Sequence, residues 1–297
     1  MNRDGRAAYY VFLLMTMQLI LSRLSIFSAT NSPAVGVGYV LYLLSYFIPV
    51  FFYILRFPRQ SIPKKHCINR SLPSGPDSVL YTAAALAVTM LAVRLNALFV
   101  IVLSKLGVNI RMPELSPAFG VSGVIFTVVF MVFIPAIFEE LLCRFAVMEL
   151  LLPFGKMAAA VVSGILFGLM HTNLSQIIYA SAAGFIIGYF VAHTRSLYLG
   201  ILIHGIINAY SVALTYAEAL LPARIFSYGY VFLEIAVFLF GFYAVRKIFI
   251  NMKGERGTVR ENSATAREGA GNLSVLLSPW ILIYIGAALA AAIYPLF

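Results

Sequence analysis

Two adjacent carboxylates, Glu139 and Glu140, stand in the run Ile134-Pro135-Ala136-Ile137-Phe138-Glu139-Glu140-Leu141-Leu142-Cys143-Arg144. On a helix, residues four apart share a face, so Glu140 and Arg144 can pair, while Glu139 is turned away by about 100°. That geometry divides the labour: one carboxylate is neutralised by arginine and the other is left to act as an acid or base. Further on come Phe167 and His171, then His204 and Asn208, each pair again one turn apart. An imidazole can exchange protons, and His or Asn N–H groups can face a developing oxyanion. A lone His or Asn in an apolar helix is commonly an interhelical hydrogen-bond donor. Adjacent acids are harder to explain by packing, because each needs its own compensation. The ordered set of two Glu, an Arg, two His and an Asn is therefore read as a reactive site.

The elements that carry these residues are membrane spans. The chain has 297 residues, 62% of them hydrophobic and 11% charged, and a mean hydropathy of +0.94. A soluble domain carries about 25% charged residues, so this chain has too few to cover its own surface. The expected fold is all-α, a polytopic transmembrane helix bundle of about nine spans, at residues 7–29, 34–55, 78–103, 119–151, 158–172, 174–192, 197–221, 228–250 and 273–294. The fourth is too long for one perpendicular crossing and is expected to tilt, kink at Pro135 or extend out of the membrane. Gly164 and Gly168, and Gly184 and Gly188, have the four-residue spacing that lets helices approach closely.

Charge orients the bundle. Of the 21 Lys and Arg, only Lys105, Arg111 and Arg224 fall on outer segments when the N-terminus is placed in the cytoplasm. Arg23, Arg94 and Arg144 lie within spans, and the rest gather inside. The positive-inside rule thus sets the N-terminus cytoplasmic and the C-terminus outside. The net charge of +10 is read as anchoring to an anionic lipid surface and not as nucleic-acid binding. Loops 56–77 and 251–272 mix basic residues with Pro, Gly and Ser and are expected to be solvated. His66 belongs to the first of them, and His193 sits at a cytoplasmic span end as an interfacial residue. Cys67 and Cys143 form no disulfide framework and no paired-cysteine metal motif. The first apolar segment lacks a small-residue cleavage site and is read as a retained span. Measured from the cytoplasmic ends at 1.5 Å per residue, Glu139, His171, His204 and Asn208 lie at depths of roughly 10–20 Å. One cavity in the inner half of the membrane is expected to hold all four.

Glu-Glu-x-x-x-Arg, then Phe-x-x-x-His, then His-x-x-x-Asn, on successive membrane helices, resembles the CAAX-protease and bacteriocin-processing family of intramembrane proteases, which includes the Ras-converting CAAX endopeptidases. The resemblance covers about residues 116–221 and all three motifs are intact. It divides the chain into N-terminal helices with a basic loop (1–115), a catalytic core (116–221) and C-terminal helices with a second basic loop (222–297). It implies that Glu139 is the general base that activates water, with His171 assisting. It implies that His204 and Asn208 stabilise the oxyanion, and that Glu140, Arg144 and Phe167 are supporting residues. A catalytic metal is open at this point: Glu139, His171 and His204 could supply a three-ligand zinc site, yet no His-Glu-x-x-His is present, and the balance tips slightly to a metal-free carboxylate mechanism.

The expected function is an endopeptidase of the membrane, with a membrane-associated peptide or protein as substrate, the lipid bilayer as surroundings and no nucleic acid partner. The expected location is a bacterial cytoplasmic membrane. A prenylated tail and a signal or bacteriocin precursor are both compatible substrates. Two other classes compete: a non-catalytic membrane scaffold, disfavoured by the intact motifs, and a proton-coupled transporter with the Glu and His groups as relay. The latter lacks a detectable inverted repeat.

Overall fold

The computed structural model describes residues 3–31, 35–57, 67–69, 71–108, 110, 117–259 and 273–293. These residues fold into helices: α1 (Arg3–Asn31), α2 (Val35–Arg56), α3 (Gly75–Lys105), α4 (Val121–Phe154), α5 (Lys156–Leu169), α6 (Leu174–Thr194), α7 (Leu197–Leu220), α8 (Ala223–Val259) and α9 (Pro279–Ile293). They correspond one to one with the nine expected segments. Seven are long and apolar enough to cross a membrane, and α5 and α9 are shorter. The last helix differs from the expected span 273–294 because residues Leu273–Leu277 form a short 3₁₀ turn. Helix α8 runs through Val259, nine residues beyond the expected boundary at 250, so the start of the second basic loop is helical. His66 and Arg111 lie outside the described residues.

Polarity is inverted relative to a water-soluble protein. Phe232 and Phe242 are 75% and 74% exposed, whereas Glu140 and Arg144 are 0% exposed. Such an arrangement exposes extensive apolar surface to water but is the expected one in hydrocarbon, where apolar side chains face lipid and charges turn inward. The chain is an integral membrane protein.

The long fourth segment resolves the problem of its length without a break. Within α4, residues Val129–Phe133 and Leu141–Met148 take the wider π-helical pattern on either side of the α-helical turn Ile134–Glu140. Pro135 has no N–H to donate, and the amide of Ile134, just before it, bonds to the carbonyl of Val129, five residues back. Wide turns of this kind are frequent at functional sites. Here they bracket the two glutamates.

Helix α5 has 14 residues, about 21 Å at 1.5 Å per residue, too short for a hydrocarbon core of about 30 Å. It ends at Leu169, so His171 lies on a turn and not on the helix as expected from the sequence. Thr172 adopts φ 46°, in the left-handed region, and stops the helix. A turn at membrane depth must be covered by protein. Its backbone is bonded locally, from His171 N to Gly168 O at 3.2 Å and from Thr172 N to Leu169 O at 3.0 Å. The Asn173 side chain then accepts from Ser175 N at 3.0 Å and starts α6. Asn96 of α3 donates from Nδ2 to Ser175 O at 2.7 Å, tying this end of α6 to its neighbour.

Helices α5 and α6 touch along their glycines. A Cβ on Gly164 would lie 2.6 Å from Phe185 N, and one on Gly168 would lie 2.5 Å from Ile177 O. Both contacts are with backbone, which cannot rotate away. Gly168→Ala is therefore expected to destabilise the protein by about 1–3 kcal/mol through overpacking, read as a lower thermal midpoint in detergent. The exposed Gly229 has no atom within 4 Å of its missing Cβ, so Gly229→Ala should leave the midpoint unchanged or raised.

Glu149, near the end of α4, is buried and accepts from Tyr53 Oη of α2 at 2.7 Å and from Ile68 N at 2.6 Å. Asn69, next in the chain, bridges to the α6–α7 turn through Asn69 N to Arg195 O at 2.6 Å and Leu197 N to Asn69 O at 2.9 Å. The end of the first basic loop is thus pinned between α2, α4 and the start of α7. Sequence reasoning did not single out Glu149.

Candidate active site

Helix α4 delivers Glu139, Glu140 and Arg144 to the bundle interior, α5 and its turn deliver Phe167 and His171, and α7 delivers His204 and Asn208. Glu140 and Arg144 form the expected ion pair, with Arg144 Nε 3.2 Å from Glu140 Oε2 and both side chains fully buried. Arg144 also donates from Nη2 to the carbonyl of Gly184 in α6 at 3.1 Å, and its Cζ lies 5.2 Å from the centre of the Phe167 ring. A buried pair is tolerated only when further contacts offset the loss of water. The backbone carbonyl and the ring face are those contacts.

His204 stands between the two glutamates. Its Nδ1 is 3.1 Å from Glu140 Oε1 and its Nε2 is 3.9 Å from Glu139 Oε2. An ionised carboxylate only accepts, so Nδ1 carries the proton of the shorter contact. The Nε2 atom is then directed toward Glu139, beyond hydrogen-bond length. Gly200, one turn before His204, makes room for this arrangement: a Cβ there would lie 2.8 Å from Glu140 Oε2.

His171 is partly buried, and its Nδ1 lies 2.9 Å from the carbonyl oxygen of Phe167. A carbonyl accepts, so Nδ1 is the donor. The Phe167 ring meets both histidines edge-on, with centroids 5.2 Å from His171 and 5.5 Å from His204. Phe167 is thus the common wall for Arg144 and the two imidazoles. Its position depends on Gly184, where a Cβ would lie 2.9 Å from the ring. Asn208 follows one turn after His204, partly buried, and its amide makes no hydrogen bond among the described residues.

Glu139 is 6% exposed and is not as free as its position on the helix suggests. Tyr46 of α2 donates to its Oε1 at 3.1 Å. This tyrosine was missed by sequence reasoning. The available signal was a hydroxyl inside an apolar span, which must find a partner, but the sequence does not say which.

As a zinc ligand set, Glu139, His171 and His204 do not come together. Among the described residues no group of three His, Cys, Asp or Glu side chains is arranged to hold a metal ion. His193 stacks on Tyr189 at 6.3 Å. Arg94, which lies within a span, pairs with Glu234 across α3 and α8 at 2.5 Å. A cavity of about 830 Å³ between α3, α7 and α8, lined by residues such as Leu86, Leu202, Ile206 and Phe240, contains none of the cluster.

The described residues thus bury two carboxylates and an arginine beside His204, with one oxygen of Glu139 making no hydrogen bond and Phe167 touching both His204 and the partly buried His171. Residues 121–210 match the family model described as Type II CAAX prenyl endopeptidase Rce1-like, and that stretch contains all seven of the residues above. Over that stretch, less than a third of the chain, the protein is similar to the CAAX-protease family. No curated protein and no solved structure matches the chain.

Proposed function

We propose that the protein is an intramembrane endopeptidase that hydrolyses a peptide bond of a membrane-associated substrate close to the cytoplasmic leaflet. The observation that carries this reading is the state of Glu139: buried, hydrogen-bonded on one oxygen only, with its other oxygen 3.9 Å from Nε2 of His204. Glu139 takes a proton from water as the water oxygen attacks the scissile carbonyl, with His171 assisting. The oxyanion is met by the amide of Asn208 and by His204, which serves as a donor when Nε2 is protonated. The C–N bond then breaks, and the proton held by Glu139 passes to the departing amine. Glu140 and Arg144 keep His204 in place and take no part in bond making. The similarity of residues 121–210 to the CAAX endopeptidase family model supports a peptide substrate, and a prenylated tail and a leader-type precursor are both consistent with it.

The test is direct. Purified protein in detergent is incubated with a library of membrane peptides, some prenylated, beside Glu139→Ala. New N-termini that appear with wild type and not with the variant are expected, and their absence from both would overturn the reading.

The same reading places the N-terminus in the cytoplasm. Reporters fused within residues 56–77 or 251–272 are expected to be active on the cytoplasmic side, and a reporter after Phe297 to be inactive. A cytoplasmic C-terminus would mean that one of the short helices, α5 or α9, returns to the side it came from.

A further inference from the structure

Helix α2 lies outside the matched stretch 121–210, yet it touches the reactive carboxylate. Tyr46 is 4% exposed and its only proton is given to Glu139 Oε1. The Tyr42 ring packs edge-on against Tyr46 at 5.3 Å. The Tyr46 hydroxyl holds one oxygen of Glu139 and leaves the other facing His204.

A second tyrosine on the same helix shows what is particular about this contact. Tyr53, two turns further along α2, donates to Glu149 of α4 in the same manner at 2.7 Å, but the other oxygen of Glu149 is taken by Ile68 N at 2.6 Å. Both oxygens of Glu149 are satisfied, and it can only hold helices together. Glu139 is satisfied on one side only. A glutamate has three rotatable side-chain bonds, and without a tether its carboxylate would be free to swing onto the nearby imidazole.

We propose that Tyr46, backed by Tyr42, is a positioning residue for the reaction: it fixes Glu139 so that Oε2 stays unbonded and aimed at the substrate side of His204. The inference rests on the reading of Glu139 as the base. It also assigns a part of the site to a helix that the family match does not include.

The experiment compares wild type, Glu139→Gln, Tyr46→Phe and Tyr53→Phe in one membrane mimetic. Tyr46→Phe is expected to lower kcat per folded molecule about ten- to a hundredfold, the worth of a hydrogen bond to a charged group, with KM within about twofold. Tyr53→Phe removes a like hydroxyl from a like partner, and is expected to lower the midpoint while leaving kcat per folded molecule as it was. Infrared difference spectra against the matching Glu139→Gln proteins should show the Glu139 carboxyl band displaced in Tyr46→Phe and unmoved in Tyr53→Phe. If Glu139→Gln is inactive but Tyr46→Phe keeps full kcat or an unshifted band, the role of the tyrosine is refuted and the base assignment stands. If Glu139→Gln is itself fully active, both fall together.

Discussion

Replacing Glu139 by Gln is expected to reduce peptide cleavage by at least about 10²–10⁴-fold, the range contributed by a positioned general base, with little change in folding. The amide is nearly isosteric with the carboxylate, and its oxygen can still accept from the Tyr46 hydroxyl at the site of the present 3.1 Å contact. Only the capacity to take a proton from water is lost. The measurement is the initial rate of cleavage of the best substrate from the peptide library, together with the thermal midpoint of the same preparation. A variant that cleaves at the wild-type rate would remove Glu139 from the mechanism and with it the reading of the site. A variant that fails to fold would indicate instead that the charge of Glu139 is needed to balance His204, which lies 3.9 Å away.

Arg144→Ala is expected to have the largest effect on stability, about 3–5 kcal/mol, because it strands the fully buried Glu140 without its cation. It also removes the bond to Gly184 O and the cation over the Phe167 ring, so three helices lose their common contact. Equilibrium unfolding in mixed detergent would register the loss. Arg144→Lys should rescue it only in part, since an ammonium is a point charge and cannot match the fork that reaches Glu140 and Gly184 together. The decisive comparison is the double variant Glu140→Gln with Arg144→Met. Removing both charges should recover a good share of the stability lost by removing one, while activity stays low because His204 has lost the ionised partner of its Nδ1. A double variant no more stable than Arg144→Ala would show that packing of the guanidinium, and not charge, sets the effect.

These two expectations draw on different kinds of information. The pairing of Glu140 with Arg144 was legible in the sequence because it lies within one helix: a separation of four residues fixes it whatever the rest of the chain does. Membrane class, the order of the helices and the three motifs were legible for the same reason, since they depend on local composition and periodicity. The small-residue spacing in α5 and α6 also carried through, because glycines four apart present a smooth stripe on any straight helix. Where local rules met a special case they erred in detail. His171 was expected within a helix, but α5 stops at Leu169 and Thr172 turns the chain at φ 46°. The contact of Phe167 with His171 survives that change because the carbonyl of Phe167 accepts from the ring.

Only the tertiary structure decided which groups face one another across helices. That His204 addresses both glutamates, that Phe167 lies against Arg144 and two imidazoles, and that Gly184 and Gly200 must lack side chains all depend on how α4 to α7 pack. Such contacts have no period in the sequence. The same holds for Tyr46 and Tyr53, 93 and 96 residues from their glutamates. A tyrosine in an apolar span announces that its hydroxyl needs a partner. Which carboxylate it meets, and whether that carboxylate keeps an oxygen for chemistry or spends both on structure, is set by the register of α2 against α4, and register is a property of the packed bundle alone.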